Sequence, residues 1–140
     1  MVILDTNVLS ELVKPSPDAA VIAWVGRRQL DECAVAAPTL AELTLGLRLM
    51  PEGARRSSLA SRLDALVDAM HVLAFERASA VLYGEIAAAR RRAGRPIAVF
   101  DALIAATARA HDAAVATRDA SGFTDCGVVI IDPWLAGQDP

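Results

Sequence analysis

The sequence predicts an α/β three-layer sandwich, a mainly parallel central sheet flanked by helices on both faces. Three observations carry that expectation. Val2-Ile3-Leu4, Cys33-Ala34-Val35-Ala36 and Ala114-Val115-Ala116 are short apolar runs without polar alternation, the pattern of strands buried on both faces in a parallel sheet. The runs alternate with segments of helical periodicity, as right-handed crossover connections require. Two of them break at their carboxyl ends into Asp5-Thr6-Asn7 and Thr117-Arg118-Asp119, and open α/β sheets bind ligands at such strand ends.

The elements follow in order. Asn7 to Val13 places Val8, Leu9, Leu12 and Val13 at helical spacing, and Lys14-Pro15 ends that helix. Ser16-Pro17-Asp18 reads as a second helix start, with serine at the N-cap and proline at N1. This helix runs to about Arg28 and buries Val21, Trp24 and Val25. After the Cys33 strand, Pro38 opens a helix to Met50, closed by Pro51-Glu52-Gly53. Arg55 to Met70 is amphipathic, with Leu59, Leu63, Leu66, Val67 and Met70 inward, and His71-Val72-Leu73-Ala74 is a third strand. Glu76 to Ala93 is a long helix with Val81, Leu82 and Ile86 inward and an arginine triplet at its C-terminal end, where cations suit the dipole. Asp101 to His111 is the last helix; the Ala114 strand, a turn at Ser121-Gly122 and a Val128–Ile131 strand follow. Asp132-Pro133-Trp134 reads as a strand-terminating turn with a packed indole, not as a site.

At 140 residues the chain is expected to form one domain over 1–140. Hydrophobic residues make up 54% but aromatics only 4%, so the excess is alanine and leucine and favours helix. No apolar stretch approaches the roughly 20 residues of a membrane span, and the N-terminus carries no basic region or cleavage pattern. A soluble, cytoplasmic protein without a membrane partner is expected. Cys33 and Cys126 lack partners at metal-ligand spacing and read as buried thiols. His71 and His111 read as packing or surface residues rather than ligands.

Net charge is −3, which by itself argues against a polyanionic partner. The cations, however, are arginines apart from Lys14, and the guanidinium fork suits phosphate. They cluster at Arg27-Arg28, Arg55-Arg56, Arg90-Arg91-Arg92 and Arg95. Solvated helix faces account for these clusters equally well, so charge decides nothing alone.

The acids decide more. Asp5, taken singly, suffices as a cap of the helix it precedes, and so does Asp101 after Ile97-Ala98-Val99-Phe100. Asp119 suffices as a turn aspartate. Glu42 stands on a helix apolar almost all round, with Leu45, Gly46 and Leu49 on its own face. That helix is expected to be buried, where a lone carboxylate costs several kcal/mol unless compensated. Arg48 is the nearest cation in sequence, but it lies over half a turn off the face. Taken together, the acids fall at strand ends and on the helices beside them. Three or four converging carboxylates suit Mg²⁺, which activates water and neutralises phosphodiester charge. Thr6 and Thr117 offer hydroxyls to orient a ligand water. Two such ions would also turn the net charge slightly positive.

Four segments, in order, resemble the PIN-domain ribonucleases, specifically the VapC/FitB-type toxins of bacterial toxin–antitoxin pairs. Val2-Ile3-Leu4-Asp5-Thr6-Asn7-Val8 is similar to the family's opening strand. Thr39-Leu40-Ala41-Glu42-Leu43-Thr44-Leu45-Gly46 resembles its E-L-x-x-G helix, and Asp101 to Ala108 its third motif. Ala116-Thr117-Arg118-Asp119, with Phe123 and Asp132-Pro133-Trp134, resembles its last. The resemblance implies a PIN-like sandwich in which Asp5, Glu42, Asp101 and Asp119 form a Mg²⁺ (or Mn²⁺) pocket that cleaves RNA. Asp5 and Asp101 would be the principal ligands, Glu42 would assist, Asp119 would be the variable fourth acid, and Thr117 the hydroxyl near the metal. It also implies a homodimer held by a cognate antitoxin, whose C-terminal segment lies in a groove near the site and whose other end binds operator DNA. DNA would thus be met only through the antitoxin.

Two other classes compete. A phosphoryl-accepting receiver also clusters acids at strand ends, but it needs a mid-chain acceptor aspartate and a late lysine. Here the second strand ends at Ala36-Ala37-Pro38 and the sole lysine is Lys14. A non-catalytic PIN-like module that only binds RNA or a partner protein is the alternative to an enzyme; the complete set of acids argues against it.

Overall fold

In the computed structural model, which describes residues 1–135, β1 (Val2–Leu4) stands at the centre of a five-stranded sheet. The other strands are β2 (Cys33–Ala36), β3 (His71–Leu73), β4 (Ala114–Ala116) and β5 (Ile130–Ile131), in the spatial order β3-β2-β1-β4-β5. Every pairing is parallel, so the expected mainly parallel sheet is wholly parallel among the described residues. Residues 136–140 of the expected 1–140 domain lie outside the described residues. The helices are α1 (Thr6–Leu12), α2 (Ala19–Gly26), α3 (Ala37–Leu49), α4 (Ala54–Asp68), α5 (Arg77–Arg92) and α6 (Val99–Ala110).

Strand periodicity divides the core. Ile3, Ala34, Ala36 and Val115 point to one face and pack with Ile86, Ile104, Ala105 and Phe123, under α5 and α6. Leu4, Cys33, Val35 and Ala116 point to the other and pack with Val8, Leu9, Val21 and Trp24. Successive strand residues alternate faces, so an unbroken apolar run fills two layers at once. Both cysteines are buried and free, as expected.

This strand order also fixes where a site belongs. The chain proceeds from β1 outward through β2 and β3, then returns to the other side of β1 as β4. The connections leave β1 and β4 in opposite directions, which opens a crevice at their carboxyl ends. Asp5 and Thr117 stand at those two ends, still held by the ladder: Asp5 N donates to the Ala116 carbonyl and Thr117 N to the Ile131 carbonyl.

Several local expectations are corrected. The second helix is capped by Asp18, whose carboxylate accepts from Ala20 N, so Ser16 and Pro17 lie before it. Val81 is 58% exposed, not inward. The helix carrying Glu42 is not buried all round: Pro38 and Thr39 are covered, while Leu45 and Leu49 are exposed. Apolar residues on every side of a helix do not bury it when the neighbouring elements cover one side. Helix α6 begins two residues before Asp101, with Ala98 at the N-cap, so Asp101 sits in the first turn and caps nothing. The last strand is shorter than expected, although Val115 N still bonds the Val129 carbonyl ahead of it.

Arg90, the first of the arginine triplet, is buried, unlike the solvated-face reading of that cluster. Its Nε donates to the Arg95 carbonyl over 2.7 Å, and its guanidinium also donates to the Thr124 carbonyl. It thereby ties the turn before α6 to the loop leading toward β5.

Candidate active site

Asp5 follows β1 directly and is buried. It occupies the N-cap position of α1 but its side chain makes no cap bond there. The carboxylate turns to β4 instead. Thr117 Oγ1 donates to Asp5 Oδ2 at 2.8 Å, and Asn7 Nδ2 donates to the same oxygen at 2.9 Å. Asn7 also bonds Thr117 Oγ1 (2.9 Å) and accepts from Arg118 N through Oδ1 (3.1 Å). The Thr117 hydroxyl further accepts from Asp119 N at 3.1 Å. Asn7 and Thr117 therefore fasten the two strand ends together around one carboxylate oxygen.

Glu42, half-buried on α3, accepts the Thr6 hydroxyl on Oε2. Asp119 N-caps a short 3-10 turn (Ala120–Phe123): Oδ1 accepts from Ser121 Oγ (2.6 Å) and Gly122 N (3.1 Å). The turn reading of Asp119 is thus correct for one oxygen. The other faces Asp101: a Cβ built on Gly122 would stand 3.2 Å from both Asp119 Oδ2 and Asp101 Oδ2. Asp5, Glu42 and Asp119 share a pattern in which one oxygen is held by side-chain or turn donors. Asp5 Oδ1, Glu42 Oε1 and Asp119 Oδ2 are left without a side-chain partner.

The four acids feel one another. Burial pushes the Asp101 carboxyl up to about 6, and the charges of Asp5, Glu42 and Asp119 add to it. Burial also raises Asp5; the Thr117 hydrogen bond opposes this, while Glu42 and Asp119 reinforce it. The Ser121 hydroxyl and the Gly122 amide hold Asp119 below its ordinary value. Among the described residues no basic side chain forms an ion pair with any of the four. Arg90 relieves Asp101, but less than burial and the three neighbouring acids raise it.

Such a set suits a hard divalent cation: the donors are all oxygen, they repel, and among the described residues three of the oxygens have no side-chain partner. Among the described residues, no three His, Cys, Asp or Glu side chains are arranged to hold an ion by themselves. The four acids are therefore not arranged as a joint ligand set of three or more; Mg²⁺ usually takes one or two carboxylates and completes its octahedron with waters and phosphate oxygens. Thr6 and Thr117 each donate their hydroxyl to a carboxylate, Glu42 and Asp5 respectively. His71, at the start of β3, and His111, at the far end of α6 from Asp101, are exposed.

The PIN domain family model matches residues 2–126, spanning β1 to the loop after the Asp119 turn and so all four acids. The chain belongs to the PIN-domain family. The VapC ribonuclease Y4jK of Sinorhizobium fredii is 43% identical over 96% of this chain and 98% of its own length. Toxin FitB of Neisseria gonorrhoeae is 37% identical over 96% and 99%. The solved structure of FitAB bound to an IR36 DNA fragment superposes with a TM-score of 0.85 at 36% identity, covering 96% of each chain.

Within this PIN domain, the structure places Asp5, Glu42, Asp101 and Asp119 close enough to act on one another's charge, with Thr117 bonded to Asp5. It adds two residues that sequence reading missed. Asn7 carries a signal, since it lies two residues after Asp5 in the opening motif. Gly122 carries none, because its importance rests on two carboxylates brought against it by folding.

Proposed function

We propose that this chain is the ribonuclease toxin of a toxin–antitoxin pair, a Mg²⁺-dependent endoribonuclease (Mn²⁺ being an alternative ion). The observation that carries the reading is the meeting of four acids from four segments at the switch point of the sheet, with no ion pair to any of them among the described residues. The similarity to VapC ribonuclease Y4jK and to toxin FitB supports the same reading.

When bound, the ion would supply Lewis-acid chemistry, lowering the pKa of water and offsetting phosphate charge. Asp5 and Asp101 would be its principal holders, with Glu42 and Asp119 assisting. The chain's own residues do the rest. Asn7 and Thr117 fix the Asp5 carboxylate through one oxygen, which presents the other in a single orientation. The Thr6 hydroxyl does the same for Glu42, leaving Oε1 to accept a proton from water. Ser121 and Gly122 do so for Asp119. Asp101, whose carboxyl burial raises to about 6 in the metal-free protein, would give up its proton on holding the ion.

A groove of about 680 Å³ adjoins the site, between the end of α1, α3 and α4, and is lined by Thr6, Glu42, Leu43, Leu47, Leu59 and Leu63 among others. It is mostly apolar with Lys14, Arg55 and Arg62 at its edge, which suits an extended or helical antitoxin segment ending in acidic groups. The exposed Leu45 and Leu49 of α3 supply apolar surface for a homodimer. DNA would be reached through the antitoxin, as FitAB is seen on a DNA fragment. No described helix is long and apolar enough to cross a membrane.

The test is direct. Purified protein should cleave RNA with Mg²⁺ and stop with EDTA, and Asp5→Asn or Asp101→Asn should abolish cleavage while circular dichroism shows the fold retained. Undiminished cleavage in either variant defeats the assignment; metal uptake without cleavage of any RNA points to a binding module instead.

A further inference from the structure

Arg118 lies between Thr117 and Asp119, two residues of the acidic site, yet its side chain takes no part in that site. Its backbone N is fixed by Asn7 Oδ1 at 3.1 Å, so the strand end that carries it is rigid. The side chain is exposed, and among the described residues it makes no ion pair. Its guanidinium carbon sits 5.2 Å from the centroid of the Trp134 ring. The indole is itself anchored: Trp134 N donates to Asp132 Oδ1 at 2.9 Å, and the ring packs on the core cluster of Leu4, Val8 and Ala116. A guanidinium laid over an aromatic face keeps its N–H fork free for an anion.

Helix α1 separates this pair from the apolar groove. Thr6 and Ser10, four residues apart, line the groove. Asn7 and Glu11, on the neighbouring face, turn toward β4 and feel Arg118. Glu11 is already committed to Lys14 (2.6 Å) and to Asp18 N (2.9 Å), so it does not claim the arginine.

We propose that Arg118, seated on Trp134, is a phosphate anchor for the RNA strand at the rim of the acidic site. The inference rests on the ribonuclease reading above. A protein of net charge −3 with four acids at its centre repels a polyanion. A cation one residue from Asp119 along the chain, seated over Trp134 and absent from the charges that shift Asp5, Asp101 and Asp119, lets a flanking phosphate bind without neutralising the acids. A peptide partner has the groove on the other side of α1, which favours RNA here.

The experiment measures binding of a labelled single-stranded RNA to the full chain by fluorescence anisotropy across a salt series in EDTA, alongside KM for cleavage with Mg²⁺. Arg118→Ala should weaken binding and raise KM roughly five- to tenfold, and reduce the slope of log K against log salt by about one. Arg118→Lys should recover only part of the loss, because a point charge replaces the fork, and Trp134→Ala should lose about half as much as Arg118→Ala. Mg²⁺ uptake by calorimetry should be the same in Arg118→Ala as in the unsubstituted protein. Arg92→Ala, on the exposed end of α5, controls for general charge. Equal losses in Arg92→Ala and Arg118→Ala overturn the anchor, as does unchanged RNA binding in Arg118→Ala. In the latter case, lost binding of the co-expressed antitoxin would reassign the pair to a protein interface, and intact cleavage leaves the ribonuclease reading standing. Neither binding nor cleavage of RNA by the unsubstituted protein overturns both.

Discussion

The Thr117 hydroxyl donates to Asp5 Oδ2 over 2.8 Å, joining the carboxyl ends of β1 and β4 across 112 residues of chain. This bond is the foremost influence holding the buried Asp5 carboxyl down against desolvation. It also leaves the hydroxyl oxygen to accept from Asp119 N, so two of the four acids depend on one side chain.

Thr117→Val keeps the shape and removes both interactions along with the bond from Asn7 Nδ2. It should cost about 1–3 kcal/mol, the usual penalty for stranding buried polar groups, and raise the Asp5 pKa further. Thermal melting at pH 7 and calorimetric Mg²⁺ titration measure the two effects, with affinity expected to fall severalfold. Thr117→Ser should restore both; a valine variant that binds Mg²⁺ normally would show that the bond does not position Asp5.

Asp101 sets a pH dependence for the metal-free protein. Its folded pKa of about 6 lies above the unfolded value of 3.8, so the native state binds more protons between these limits. The contribution to stability is present below the unfolded pKa and is lost as pH rises through about 6. Asp5 shifts in the same direction. In EDTA, Asp101→Asn should therefore raise the unfolding temperature at pH 7, by about 1 kcal/mol of stability after allowance for screening of a partly exposed group. Added Mg²⁺ should stabilise the unsubstituted protein and leave the variant little changed. A variant less stable than the parent in EDTA would mean that Asp101 makes a favourable contact outweighing its repulsion.

Gly122 is not in the left-handed region, so alanine there suffers no backbone penalty. Its Cβ would instead press on Asp101 Oδ2 and Asp119 Oδ2, 3.2 Å away each. Gly122→Ala should retain the fold by circular dichroism and lose under about 1 kcal/mol of stability. Its Mg²⁺ affinity should drop by roughly tenfold, the scale of displaced supporting contacts at metal sites. Unaltered affinity would remove Gly122 from the set that shapes the site.

Arg90→Ala removes the buried guanidinium that holds the Arg95 and Thr124 carbonyls. The expected loss is about 2–4 kcal/mol, seen as a lower urea midpoint. Arg90→Lys should recover little, because one ammonium cannot replace the planar fork between two loops. A lysine variant as stable as the parent would show that charge rather than geometry matters at this position.

The sequence by itself determined the layers and where the acids fall relative to the strands. Val2-Ile3-Leu4, Cys33 to Ala36 and Ala114 to Ala116 are apolar at every position, and a strand that must be buried on both faces has no alternative to the middle of a parallel sheet. Asp5 and Thr117 follow such strands, so their place at carboxyl ends was legible too. What the tertiary structure decided was strand order and which surfaces are covered. The switch between β1 and β4 depends on contacts between distant segments, and no local pattern encodes it. For the same reason α3 looked buried while Leu45 and Leu49 are exposed, and Arg90 looked solvated while it is enclosed. Asp5 shows the division most clearly: its position is written in five residues, but its orientation toward Thr117, rather than onto its own helix, exists only because folding brings β4 alongside β1.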